Sequence, residues 1–206
     1  MTDIQQDGRA RRQQDIFDLN RTKLIDTAVD VINEVGDIRE VTLTQIAKEA
    51  GVSPATAYNH FPDRMEDVFS AIVHARMDVA ANMGATLADE SLSVIEKLKQ
   101  IPVTYAENLI SLGYAGKVIV VQMFNLVNVN KWLDQDPVQA IIPLLNNLDQ
   151  YQDRAEEIAV NIATAFRGAI FEYALNNGDH ELFNRYSEEF LLKTSENLVE
   201  NILKQY

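Results

Sequence analysis

Between Thr42 and Arg64 the chain collects side chains suited to hydrogen bonding rather than to making and breaking bonds. Thr42, Thr44 and Ser53 carry hydroxyls, Tyr58 a phenol, Asn59 a carboxamide and His60 an imidazole, while Lys48 and Arg64 bring charge. A carboxamide can pair bidentately with the edge of adenine, and the methyl groups of Ala55 and Thr56 can meet thymine methyls. Hydroxyls beside the unpaired N–H groups of helix N-termini suit phosphate oxygens. His60 can reach a phosphate or simply end its helix in water. Little elsewhere suggests catalysis. With no cysteine, disulfides, thiol nucleophiles and Cys-ligated metals are excluded. His60, His74 and His180 lack metal-ligand spacing, and neither a Gly-x-Ser-x-Gly elbow nor a Gly-rich phosphate loop is present. Glu156-Glu157 and Glu188-Glu189 are adjacent on helices and cannot converge on a substrate. The residues therefore point away from an enzyme and require no metal or resident cofactor.

The positions around Thr42–Arg64 imply two short helices. Thr42 opens the first as an N-cap with Gln45 at the third helical position, and Leu43, Ile46, Ala47 and Ala50 form its inner side. Gly51-Val52-Ser53 is a tight turn, with Gly51 at the position that needs positive φ. Ser53 caps the second helix and Pro54 suits its first position, where no donor is needed. Ala47 lets the two helices approach, and Val52, Ala57, Tyr58 and Phe61 anchor the second one. Ahead of them, a helix is expected from about Asn20, with an apolar stripe of Leu24, Ile25, Ala28, Val29, Ile32 and Val35 and a stop at Gly36. Asp63 and Glu66 suggest a cap for a long helix whose stripe runs from Val68 to Val79.

Residues 42–61, TLTQIAKEAGVSPATAYNHF, resemble the DNA-binding motif of the TetR family of bacterial transcriptional regulators. Ile46-Ala47, Ala50-Gly51-Val52-Ser53 and the Tyr58-Asn-His-Phe61 ending carry the resemblance. Ala28, Gly36 and the Phe-Pro-Asp-Arg64 exit extend it over about 21–70. The family usually has Lys where Arg64 stands, and the loop from Gly36 to Thr42 departs from the usual length by about one residue. The resemblance implies an all-α homodimer that binds a palindromic DNA operator, generally as a repressor released by a small-molecule ligand. It assigns DNA contact to Thr42, Thr44, Lys48, Ser53, Pro54, Ala55, Thr56, Tyr58, Asn59, His60 and Arg64.

The chain then reads as three parts: a flexible basic arm over 1–17, a helix-turn-helix domain over 18–66 and a helical regulatory and dimerisation domain over 67–206. Helices are expected near 92–112 (bent or split by Pro102), 117–131, 136–148, 153–176 and 180–205. Arg9, Arg11 and Arg12 in the arm suit a minor-groove contact or a solvated tail. Tyr105, Leu109, Met123, Phe124, Val127, Asn128 and Trp132 are candidates to line a ligand pocket, or belong to plain core. Ile162, Phe166, Ala169, Ile170 and Tyr173, with Phe183, Tyr186, Phe190, Leu198 and Ile202, form two apolar stripes. A monomer core needs one stripe per helix. The resemblance instead implies a four-helix bundle with a second copy.

Composition sets the outer bounds. The 206 residues are 47% hydrophobic and 24% charged, which is ordinary globular usage. No continuous apolar run reaches the roughly 18–20 residues of a membrane span, and the polar start MTDIQQDGRARRQQ lacks a signal-peptide core, so a cytoplasmic protein is expected. The net charge of −13 excludes a general nucleic-acid coat protein. Residues 9–64 hold eight basic and nine acidic side chains, net −1, whereas 65–206 hold ten and twenty, net −10. The helix expected over 54–60 has no Arg or Lys, which leaves open a helical small-molecule-binding or adaptor protein that has lost operator binding.

Overall fold

The computed structural model describes residues 3–77, 79–125, 137–176 and 185–206, and among these it is α-helical with no strand. The chain divides into two compact units between Ile72 and Val73, inside a helix rather than at a linker. The boundary thus falls six residues beyond the one expected after 66.

In the first unit, α1 (Asp3–Val35) is followed by α2 (Leu43–Glu49), α3 (Pro54–His60) and α4 (Met65–Arg76), the last crossing into the second unit. The expected arm is therefore part of α1, which begins some five turns before Asn20. The first seventeen residues are mostly polar, and their few apolar side chains (Ile4, Ile16 and Phe17 after Met1) form no helical stripe, so periodicity alone could not place them. Leu24, Ile25, Ala28, Val31 and Ile32 of α1 are buried. Gly36, at φ +69°, ends the helix. The loop after it holds a single 3-10 turn, Ile38–Glu40, capped by Asp37. Leu43, Ile46, Ala47, Ala50, Ala57 and Phe61 are buried, and α2 packs on α3. Asp67, rather than Glu66, secures the entry to α4 by accepting the backbone N–H of Asp63 at 2.7 Å.

The second unit contains α5 (Val79–Ala88), α6 (Val94–Ser111), α7 (Tyr114–Asn125), α8 (Val138–Leu145), α9 (Ala155–Leu175) and α10 (Glu188–Leu203). The long helix expected from Asp63 thus ends at Arg76. Ser93 and Glu96 form a reciprocal capping box on α6, which continues unbroken through a buried Pro102. α6 packs on α5 and α10, while α9 packs on α7, α8 and α10. A side chain at Gly116 of α7 would run into the Leu109 carbonyl oxygen, so glycine is what permits that close approach. α10 starts at a Ser187 N-cap rather than at 180. Residues 152–175 are long and apolar enough to cross a membrane by length and composition. Here that stretch is largely α9, a core helix with buried Ile158, Ile162, Phe166 and Tyr173.

Candidate nucleic-acid interface

The helix-turn-helix is held by local bonds that the sequence encodes directly. Thr42 Oγ1 accepts the Gln45 N–H at 3.2 Å, and Ser53 Oγ accepts the Thr56 N–H at 3.1 Å. Between the caps, Gly51 sits at φ +65°. The Val52 N–H donates back to the Ala47 carbonyl at 3.0 Å, closing the turn. A Cβ on Gly51 would meet only the Lys23 ammonium, at an ordinary 3.6 Å. Gly51→Ala should therefore cost its left-handed backbone alone, roughly 1–2 kcal/mol, and Gly51→Asn should recover much of it because Asn tolerates that region. Chemical denaturation checks both. Equal midpoints for Ala and glycine at this position would refute the account.

The caps and turn leave one side of α3 open. Pro54, Ala55, Tyr58 and Asn59 are exposed and Thr56 is half-buried, while Ala57 and Phe61 are fully buried. At about 1.5 Å per residue, seven residues span some 10 Å, which fits a major groove about 12 Å wide. Thr42, Thr44, Lys48, Ser53 and Arg64 are exposed around this helix. A depression of about 770 Å³ is lined by Thr42, Thr44, Gln45, Lys48, Glu49, Val52 and Pro54. Gln45 belongs to this surface although the sequence suggested only a capping role for it. The Tyr58 hydroxyl is 3.4 Å from the Thr44 hydroxyl, which ties α3 to α2. Arg64, with its backbone at φ +57°, places its guanidinium 6.0 Å from the Tyr58 ring centre. Among the described residues no group of His, Asp and Glu is arranged to hold a metal.

His60 departs from expectation. It neither faces phosphate nor ends α3 in water; it is only 5% exposed. The continuation of α1 covers it, with the Phe17 ring centre 3.9 Å from the imidazole. Arg21 donates to the His60 carbonyl at 3.2 Å and lies 5.0 Å from the Phe61 ring centre. Neither imidazole nitrogen has a hydrogen-bond partner. Burial, reinforced by the Arg21 charge and opposed by Asp18, pushes the imidazole pKa below its ordinary value. The folded protein thus resists a proton that the unfolded chain accepts. The stability of the first unit should fall as pH drops through about 6.5, until the depressed folded pKa is reached. His60→Leu should remove this component and, by removing two unpaired buried nitrogens, add about 1 kcal/mol. Urea midpoints at neutral and mildly acid pH test it, and a variant with the wild-type pH slope would contradict it.

The other expected sites fare unevenly. Tyr105 and Leu109 are buried on α6, the Tyr105 ring edge-on to Phe166 with centroids 6.0 Å apart. Met123 and Phe124 lie in α7, but their side chains, like Val127, Asn128 and Trp132, are outside the described residues. In the dimer stripes, Ile162, Phe166, Ala169, Tyr173, Leu198 and Ile202 are buried within their own chain. They fill the monomer core instead of offering a face to a second copy. Ile170, Tyr186 and Phe190 are half-buried, and Phe183 lies outside the described residues. A half-buried lysine and a buried tyrosine lie close together in this unit. Lys117 donates to the Asn176 carbonyl and sits 4.9 Å from the Tyr173 ring centre. Burial lowers the Lys117 pKa and pushes the Tyr173 phenol up to about 12.

Two short helices joined by a glycine turn, with the second offering an amide and methyl groups to solvent, make the first unit a helix-turn-helix domain. Residues 24–72 match the family of bacterial regulatory proteins, tetR family. The HTH-type transcriptional regulator BetI of Brucella anthropi is 35% identical over 69 residues, covering 34% of this chain and 35% of that protein. BetI of Klebsiella pneumoniae is 36% identical over 78 residues, covering 36% of this chain and 40% of that protein. The match therefore spans little more than a third of the curated relatives' length. A TetR-like transcriptional regulator from Rhodococcus sp. RHA1 shares the fold over 91% of this chain and 97% of its own, with a TM-score of 0.57 at 20% identity.

Proposed function

We propose that the protein is a sequence-specific DNA-binding transcriptional regulator, acting as a cytoplasmic repressor that leaves a palindromic operator when a small molecule binds its C-terminal unit. The observation that carries this reading is the exposure of Ala55, Tyr58 and Asn59 on a helix whose opposite side is anchored by Ala57 and Phe61. Base-edge chemistry thus faces outward on a rigid support. Val160, Thr164, Gly168 and Leu175 are exposed along one side of α9, spaced to form one stripe. That stripe, rather than the buried one, supports pairing with a second copy and hence a two-fold operator.

Selection of bound duplexes from genomic fragments, followed by metabolite challenge, tests the reading. The expected result is enrichment of a palindrome, weaker binding to its isolated half-site, and release by a class of small molecules. Binding no tighter to the recovered duplex than to random DNA would overturn it.

A further inference from the structure

We propose that the N-terminal part of α1, from Arg9 to Lys23, is a second DNA-contacting surface that grips phosphates beside the groove entered by α3. This inference rests on the proposed DNA-binding function. The case starts from charge: α3 contains neither Arg nor Lys, yet phosphate neutralisation dominates affinity for DNA. The unit must find that charge on neighbouring elements.

α1 is placed to supply it. Phe17 stacks on His60 at the end of α3, and the Lys23 ammonium lies beside Gly51 in the turn before α3. α1 therefore runs alongside α3 in the opposite direction. Its earlier turns continue past the C-terminal end of α3, and Arg9 lies eight residues beyond Phe17, about 12 Å at 1.5 Å per residue. Arg9, Arg12, Ile16, Leu19 and Lys23 follow one another at steps of three or four and so share one helix face. The two arginines are exposed, as are Ile16 at 54% and Leu19 at 67%. This alternation of cation and apolar surface complements a sugar–phosphate backbone, which presents charge and deoxyribose in turn. Arg11, also exposed, lies about 120° round the helix from that face, in line with Asp18. Asp15 lies between the two faces.

Arg11 gives the experiment its internal control. Binding of the full chain to a palindromic duplex recovered by fragment selection is measured between about 50 and 200 mM salt. Arg9→Ala combined with Arg12→Ala should flatten the dependence of log affinity on log salt by roughly 0.9 for each phosphate no longer neutralised, one per arginine removed in each subunit. Selectivity over random duplex should be unchanged. Arg11→Ala, which removes the same charge from the same helix, should leave the slope at its wild-type value. Thermal unfolding of each variant confirms that these exposed changes leave the fold intact. A wild-type slope in the double variant, or an equal per-arginine loss in Arg11→Ala, would overturn the second surface alone. Failure to recover any duplex that the wild type prefers would overturn the DNA-binding reading and this inference together.

Discussion

Phe61→Ala should destabilise the first unit by about 3–5 kcal/mol, the usual cost of emptying a fully buried aromatic site. Phe61 has no exposed surface, follows α3 directly, and donates its N–H to the Ala57 carbonyl at 2.9 Å. Arg21 lies over its ring, so truncation also removes a cation–π partner. Small domains are stable by only about 5–15 kcal/mol, and this unit's core is small. The loss should appear as faster hydrogen exchange across α1, α2 and α3 and as weaker binding to every DNA sequence, because the support of α3 is lost. Destabilisation below about 1 kcal/mol would show that the site collapses around the gap and that Phe61 is not the anchor described above.

Asn59→Ala should have the opposite profile. Asn59 is exposed on α3, so its removal should change stability by no more than about 0.5 kcal/mol. If its carboxamide reads a base, selectivity for the operator over random duplex should fall by about 1–3 kcal/mol, roughly 5- to 150-fold. Tyr58→Phe separates base reading from phosphate contact. Losing the hydroxyl that approaches Thr44 should weaken binding to all sequences alike, by about 1 kcal/mol. Competition binding against specific and random duplexes distinguishes the two. An Asn59→Ala variant of full selectivity would remove Asn59 from the reading set, and the burden would shift to Thr56 and Ala55.

The parts of the interface legible in the sequence are those whose determinants lie within a few residues of one another. Thr42 with Gln45, Ser53 with Thr56, Pro54 at a helix start and Gly51 at positive φ are all local rules, and each is met in the structure. The burial of Ala47 and Ala57 follows from the same logic, because closely crossing helices admit only small residues. The acidic second unit was legible as helices, but not in how their faces are used. A stripe of Ile162, Phe166 and Tyr173 looks the same whether it meets α10 of its own chain or another copy.

Local spacing therefore determined the helix-turn-helix, its caps and the outward face of α3, since those interactions span four residues or fewer. Tertiary structure alone decided the fate of His60, the reach of α1 and which side of α9 is left exposed. Each depends on contacts between residues far apart in the chain, such as Phe17 against His60, and periodicity along one helix carries no information about which partner will cover it.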